Sequence, residues 1–433
     1  MFELFQSILT IFLITINCYF PEKYCSNFNI LGKSEQNFIN QLSIGTIIHI
    51  FSLLILSFLT LFSNKIIFFY FGILFTHNLF FILREKINTS DLKLEIFFLY
   101  FTIFIIVIFF LNNFIIGWDA QNYWVTKALT IFNDNSIENL KYTTRPEYPH
   151  LGAFIWSFYA KFSLINNELY GRIFYIYFFC LSLISISKIL SKKKLHNLIF
   201  YSFLILICFK NSLFNGYQEV LIFSLFILIT KEFYLFLDKK NHNNLGGFLV
   251  IILSCLSMSW IKSEGMIFAL LFLSIYIFSL KSNLKRQLIA SLSLIAIIAL
   301  KLFYSNLIDL NSSFQSGNYE FFNIENFTDY VKFERILLIV KYFILGIFQN
   351  LIFLLSVLAG LLLIKDKKEI NILKYYLLFL IFCSSFIFCA YIFTNLPLEF
   401  HLKYSVDRLF FQISGFFIIS LIMVYKKLYK KVS

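Results

Sequence analysis

Long apolar segments constrain this chain more than any other feature of its sequence. Two of them, residues 96–116 and 373–393, are each about 20 residues long, enough for a helix to cross a hydrocarbon core of ~30 Å. Lipid offers no partners for backbone polar groups, and a helix satisfies these groups within its own segment. We therefore expect an all-α, polytopic transmembrane helix bundle with about 11–13 spans.

The composition supports the same fold class. Of the 433 residues, 59% are hydrophobic and 14% are charged, whereas a soluble domain is about 45–50% apolar and about 25% charged. A protein core cannot hide that much apolar surface, so lipid must cover it. The seven cysteines form no metal-ligand spacing and are interpreted as small hydrophobic residues of the helices.

The connecting loops alternate between short basic ones and longer mixed ones. The basic group includes "SKKK" at 191–194, "KSNLKR" at 281–286, "KDKK" at 365–368 and the tail "KKLYKK" at 426–431. The positive-inside rule places this group, and with it the C-terminus, in the cytoplasm. The net charge of +13 is thereby explained by the membrane and requires no nucleic acid as a partner.

This topology divides the chain into three parts. Residues 1–116 are N-terminal transmembrane segments, and residues 117–171 form an extracytoplasmic loop with a short interfacial helix. Residues 172–433 form a transmembrane bundle with outer loops at 211–219, 262–265, 306–333 and 395–408. Most of the unusual polar groups fall in these outer loops, which predicts a functional site on the outer face.

The 117–171 loop combines aromatic and charged residues. Trp118, Tyr123, Trp124 and Trp156 suit an aromatic belt at the membrane interface. Pro146 and Pro149 stop a helix, and the following segment 151–162 is predicted to be an amphipathic helix with Trp156 and Tyr159 at headgroup depth. A belt does not explain Asp119, because a carboxylate at the hydrocarbon edge needs a partner or a function.

Three later loops add charged groups. Glu219 follows "NGYQ" at the start of a span. It is either a functional carboxylate or a solvated carboxylate that favours the start of the helix. Lys262 and Glu264 interrupt an apolar stretch. Their charges indicate either a functional pair or a turn between two short helices. The last loop carries His401, Lys403, Asp407 and Arg408, which suit a lipid-linked phosphate or snorkel to headgroups.

Together these groups favour transfer chemistry on a lipid phosphate. One carboxylate would take the proton of an acceptor or hold a divalent metal ion, and the cations would stabilise the departing phosphate.

Four motifs carry a resemblance to a known family. "GWDAQNYWVTKA" with "RPEYPHLGAFIW", then "NGYQE", "IKSEG" and "HLKYSVDRLFFQ", follow one another between residues 117 and 412. In order and spacing they resemble the GT-C polytopic glycosyltransferases, which use polyprenyl-phosphate-linked sugars. The resemblance is to bacterial members related to protein O-mannosyltransferases and to the lipid A aminoarabinose transferase.

The resemblance implies an enzyme that moves a sugar from a polyprenyl-phosphate-linked donor to a lipid, glycan or protein acceptor. It implies a bacterial inner-membrane protein, surrounded by membrane lipids, with its active site facing the periplasm. Two departures stand out: Asp119 lacks the adjacent carboxylate that is common in the family, and its loop follows about the fourth span rather than the first.

The predicted catalytic residues are Asp119, Glu219 and Glu264, with Asp119 also the candidate ligand for a magnesium or manganese ion. The predicted substrate-binding residues are Tyr123, Lys127, Glu147, Tyr148, His150, Lys262, His401, Asp407 and Arg408.

Two alternatives stay open. An O-antigen polymerase or ligase also acts on polyprenyl-linked sugars, but usually places its large outer loop later in the chain. A lipid or solute transporter would place charged groups at the bilayer midplane and show internal repeats.

Overall fold

The computed structural model describes residues 2–27, 37–84, 93–113, 115–163, 167–191, 193–210, 212–238, 245–280, 283–307, 331–394 and 396–432. Within these ranges the architecture is helical, as expected from the sequence, and no strand is assigned. The chain divides into two compact units, Met1–Ala269 and Leu270–Ser433.

The first unit contains eleven α-helices within its described residues, and the boundary between the units falls inside a twelfth. They are α1 (Phe2–Asn17), α2 (Glu22–Asn27), α3 (Phe38–Leu59), α4 (Ile66–Arg84), α5 (Lys93–Asn112), α6 (Val125–Asp134), α7 (Leu151–Lys161), α8 (Leu169–Ser187), α9 (Lys194–Cys208), α10 (Glu219–Leu237), α11 (Leu245–Met258) and α12 (Ser263–Ser279). A π-helix, Ala120–Trp124, precedes α6, and a 3-10 helix, Glu138–Tyr142, follows it.

In its described residues the second unit contains the end of α12 and five further helices. They are α13 (Leu284–Leu307), α14 (Phe333–Gln349), α15 (Leu351–Leu363), α16 (Lys367–Ile392) and α17 (Leu398–Val432). In this unit α17 packs against α14, α15 and α16.

The helices confirm a multi-pass membrane protein. In the described ranges nine helices are long and apolar enough to span a membrane, and the bent pair α14–α15 gives a tenth. The remaining candidates, α9, α11 and α12, are shorter apolar helices, so the expected 11–13 spans require these shorter helices to cross as well.

One expected span has a different shape. The apolar run over about residues 346–364 predicts a single helical span, and this prediction is wrong, because the chain bends by 95° between α14 and α15. The bend falls at Asn350, whose side-chain amide donates to the carbonyls of Gly346 (3.1 Å) and Asp407 (2.7 Å). The bond to Asp407 ties the bend to helix α17.

Helix α8 is the centre of the first unit. Every residue from Leu169 to Ser187 is buried, and α8 packs against α1, α3, α5, α7, α9 and α10. Helix α4 is the least buried of the nine candidate spans, with 11% of its most apolar stretch buried inside the protein. Both helices are apolar enough to span a membrane, because lipid and a protein interior are both apolar surroundings.

Candidate functional site

Three segments that follow or precede spans meet at one end of the first unit. Gly117, after α5, donates its N–H to the carbonyl of Asn215 at 2.8 Å. Leu151, at the start of α7, donates to the carbonyl of Trp260, just after α11, at 2.8 Å. The loops around Asp119, Glu219 and Lys262 are thus joined by the fold.

Asp119 is positioned by close backbone packing. It lies directly before the π-helix, and its side chain is partly exposed. A Cβ on Gly117 would lie 2.4 Å from the ring of Tyr217, and one on Gly216 would lie 2.9 Å from the Cβ of Ala120. Gly216 also has φ +86°, where a side chain would be strained. Glycines therefore let the Asp119 segment lie directly on the segment that leads to Glu219.

A buried ammonium joins two of the predicted catalytic carboxylates. Lys262 Nζ donates to Glu219 Oε1 at 2.9 Å and lies 3.5 Å from Glu264 Oε1. The Lys262 and Glu219 side chains are 10% and 7% exposed, whereas that of Glu264 is 32% exposed. Glu264 is therefore the carboxylate of this trio that water or a substrate reaches more readily.

Tyr148 interacts electrostatically with two members of this trio, Glu264 and Lys262. Its ring contacts Tyr123 (5.6 Å between centroids) and stacks on Trp124 (6.0 Å, 27°). Burial, and then the negative charge of Glu264, raise the pKa of Tyr148 to about 12, against the opposing effects of Arg145 and Lys262. At neutral pH the phenol keeps its proton and can donate a hydrogen bond.

Two predicted substrate-binding residues, Lys127 and His150, have a structural role. Lys127 is fully buried, and its Nζ donates to the carbonyl of Tyr148 at 2.7 Å and lies 3.5 Å from that of Pro146. His150 is also fully buried, with Nε2 2.8 Å from the hydroxyl of Ser57 and its ring 5.4 Å from that of Trp260. Both side chains fix the segment that carries Tyr148.

Glu147 is the remaining predicted residue of this loop. It pairs with Arg145, with 3.5 Å between Oε1 and Nη1, and both side chains are partly exposed. Arg145 has φ +56°, a left-handed conformation that is uncommon for a residue with a side chain.

The helix expected over residues 151–162 is present as α7, but Trp156 and Tyr159 do not lie on an exposed face of it. Both side chains are buried in protein, at 0% and 1% exposed. Their polar tips have protein partners: Trp156 Nε1 donates to the carbonyl of Glu168 at 2.7 Å, and Tyr159 Oη lies 2.8 Å from His49 Nε2. Of the four tryptophans only Trp118, at 66% exposed, is available to the surroundings of the protein.

Arg172 is a central residue that the sequence reasoning missed. Its side chain is fully buried in α8 and donates to the carbonyls of Ile115 (3.3 Å) and Phe214 (2.9 Å) and to Glu168 Oε1 (3.1 Å). It thereby holds the two segments that lead to Asp119 and Glu219. The available signal was an arginine inside the apolar run "LYGRIFYIYFF", because a charge in a span requires partners.

Gln218 supports the same junction from the other side. It is fully buried, its Oε1 accepts from the Tyr175 hydroxyl at 3.1 Å, and its Nε2 donates to the Gly216 carbonyl at 3.3 Å. Polar groups from α8 and from the turn before α10 thus fix the backbone that presents Glu219.

His401, Asp407 and Arg408 belong to the second unit. They lie in the first turns of α17, where His401 Nδ1 is 3.0 Å from the Thr394 hydroxyl and the Asp407 carbonyl accepts from Asn350. A spacing of seven residues places His401 and Arg408 on about the same face of this helix.

In the described part of the chain, no group of three or more His, Cys, Asp or Glu side chains is arranged to hold a metal ion. The role of Asp119 as a metal ligand stays a prediction. Comparison of the chain with protein-family models, with curated proteins and with solved structures gives no match.

Proposed function

We propose that this protein is an integral-membrane glycosyltransferase of the GT-C type. It would move a sugar from a polyprenyl-phosphate-linked donor to a lipid, glycan or protein acceptor on the extracytoplasmic face of the bacterial plasma membrane. The observation that carries the proposal is the junction of the Asp119, Glu219 and Lys262–Glu264 segments at one end of the first unit.

The charges of this junction suit acceptor activation. With Lys262 held between two carboxylates, the trio carries one excess negative charge, and Asp119 adds another in the neighbouring segment. An acidic, partly exposed site favours a hydroxyl acceptor whose proton must be removed.

In the proposed reaction Asp119 takes the proton of the acceptor hydroxyl. The acceptor oxygen forms a bond to the anomeric carbon as the bond from that carbon to the phosphate oxygen of the donor breaks, with inversion. The polyprenyl phosphate leaves with the bonding electrons. A magnesium or manganese ion at Asp119, and a role for His401, Asp407 and Arg408 at the donor phosphate, remain predictions from the sequence.

Asp119→Asn tests the proposal most directly. Without the base, sugar transfer by the purified, reconstituted protein should fall at least about 100-fold, with expression and membrane insertion unchanged. Asp134→Asn is the matched control, because Asp134 ends α6 and interacts with Asn139 away from the junction; it should keep full activity. Transfer at the wild-type rate by the Asp119 variant would remove Asp119 from the mechanism.

Deletion of the gene tests the function as a whole. Mass spectrometry of surface glycans and lipids should then show the loss of one sugar from one acceptor. An unchanged profile, with no transfer from any polyprenyl-linked sugar by the purified protein, would overturn the proposal. Movement of a lipid or solute without transfer would favour the transporter alternative.

A further inference from the structure

An aromatic surface borders the charged junction. The rings of Trp118 and Tyr123 meet edge to face with centroids 6.1 Å apart, and those of Tyr123 and Tyr148 lie 5.6 Å apart. Trp118 is 66% exposed, and Tyr123 and Tyr148 are partly exposed. Three neighbouring rings therefore present apolar area, and one of them, Tyr148, interacts electrostatically with Glu264 and Lys262.

This surface is held in place from behind. Trp124 is 3% exposed and stacks on Tyr148 from the interior, and Lys127 fixes the carbonyl of the same residue. Tyr123 and Trp124 share the π-helix, which determines their relative direction. A surface fixed by buried partners loses little conformational entropy when a ligand binds.

We propose that Trp118, Tyr123 and Tyr148 form a platform on which the pyranose ring of a sugar substrate stacks. This proposal rests on the proposed glycosyltransferase function. It specifies that the part of the substrate bound at this end of the first unit is the sugar ring. One face of a pyranose is a patch of C–H groups that packs on aromatic rings, and its rim is a set of hydroxyls that needs polar partners.

The junction supplies those polar partners. The partly exposed Glu264 accepts hydrogen bonds, the protonated phenol of Tyr148 can donate one, and the Arg145–Glu147 pair adds both kinds of group. The apolar and polar halves of the site thus match the two halves of a sugar.

A lipid headgroup is the competing occupant. A tryptophan in an interfacial aromatic belt needs only an apolar ring and an N–H that reaches water. The rings described here are instead organised around Tyr148, whose phenol interacts electrostatically with Glu264, Arg145 and Lys262. Fixed charges of both signs around a rigid aromatic cluster favour a hydroxyl-rich ligand over mobile lipid.

Tryptophan fluorescence offers a selective test on the full-length protein in nanodiscs. Trp124, Trp156 and Trp260 are 3% exposed or less, so quenching by acrylamide should report Trp118. Trp118→Phe, which should lose the acrylamide-sensitive signal, establishes that assignment. The probes are short-chain polyprenyl-phosphate hexoses, the same carrier without sugar, and free oligosaccharides.

Shielding of Trp118 by a sugar-bearing probe, lowering the acrylamide quenching constant about two-fold or more, is the expected result. A response to the lipid-linked hexose identifies donor sugar on the platform, and a response to the free oligosaccharide identifies acceptor sugar. Equal shielding by the sugar-free carrier would overturn the proposal. So would strong quenching by brominated lipids that no sugar relieves, which would identify an interface anchor.

Kinetics separate this inference from the function on which it rests. Trp118→Ala should raise the KM for the sugar whose probe shields Trp118 about ten-fold, and Trp118→Phe should restore most of the loss. Tyr142→Ala is the matched control, because Tyr142 is 78% exposed in the same loop with its ring beside Lys141. Normal transfer by Trp118→Ala at every substrate concentration would refute the platform and leave the glycosyltransferase proposal intact.

Discussion

At the scale of the residue, Lys262 distinguishes two carboxylates that looked equivalent in the sequence. Glu219 is the close and buried partner, and Glu264 is the more distant and more exposed one. Removing the Glu219 charge takes from the buried Lys262 ammonium its nearer and more buried carboxylate, whereas the more exposed Glu264 contributes less.

We expect Glu219→Gln to lower the free energy of unfolding by about 3 kcal/mol, and Glu264→Gln by less than about 1 kcal/mol. Reversible unfolding in mixed micelles measures both. The double variant Glu219→Gln with Lys262→Met should recover most of the loss, because it removes both charges. Equal losses in the two single variants would contradict the different burial of the two pairs.

The sequence revealed these charges but not their partners. Glu219, Lys262 and Glu264 were recognisable because charges are costly within or beside apolar runs. The buried positions of Lys127 and His150 were not recognisable, because burial depends on segments distant in the chain, such as Ser57 against His150. From the sequence alone, a charged residue near a site is interpreted as a ligand contact, because its spatial neighbours are not known.

At the scale of the element, α7 shows where pattern reasoning fails. A short apolar helix with a Trp and a Tyr has the composition of an interfacial helix. It is instead enclosed by α3, α6 and α8. Lipid and protein interior select the same apolar residues, so the sequence predicts the helix but not what surrounds it.

Close packing of α7 on α8 gives a test with a matched control. A Cβ at Gly171 of α8 would lie 2.0 Å from the carbonyl oxygen of Trp156, whereas Gly72 of α4 has nothing within 4 Å of the same position. Gly171→Ala should therefore destabilise the protein by about 1–3 kcal/mol. Gly72→Ala should be neutral or slightly stabilising, because alanine is the better helix former. Thermal unfolding of both variants in detergent measures the difference, and similar melting temperatures would contradict the described α7–α8 contact.

At the scale of the whole molecule, length and hydropathy were enough to locate the helices. The segments expected to span the membrane coincide with helices, because a backbone in lipid has few alternatives, except the one over about residues 346–364, where two helices meet at a bend. The bend at Asn350 was not predictable, since a polar residue in an apolar run does not by itself interrupt a helix. The bend is accompanied by a tertiary contact that sequence does not reveal, the bond from the Asn350 side chain to the carbonyl of Asp407.

The orientation in the membrane is a prediction from loop charge, and cysteine labelling tests it. In a background without the native cysteines, Tyr142→Cys should react with a membrane-impermeant maleimide in intact spheroplasts. Leu428→Cys, near the basic tail, should react only after permeabilisation; both native side chains are exposed. The reverse labelling pattern would place the candidate site in the cytoplasm and contradict the positive-inside assignment.

The hydrogen bond from Leu151 to Trp260 has a consequence for biosynthesis. Its two residues are about 100 positions apart, which a ribosome takes roughly 5–20 s to traverse. During that interval the segment that carries Tyr148 has already been synthesised, while α8 to α11 are still being made. The nascent loop must wait in the membrane without its final partners, so a chaperone or lipid that shelters it would act in this window.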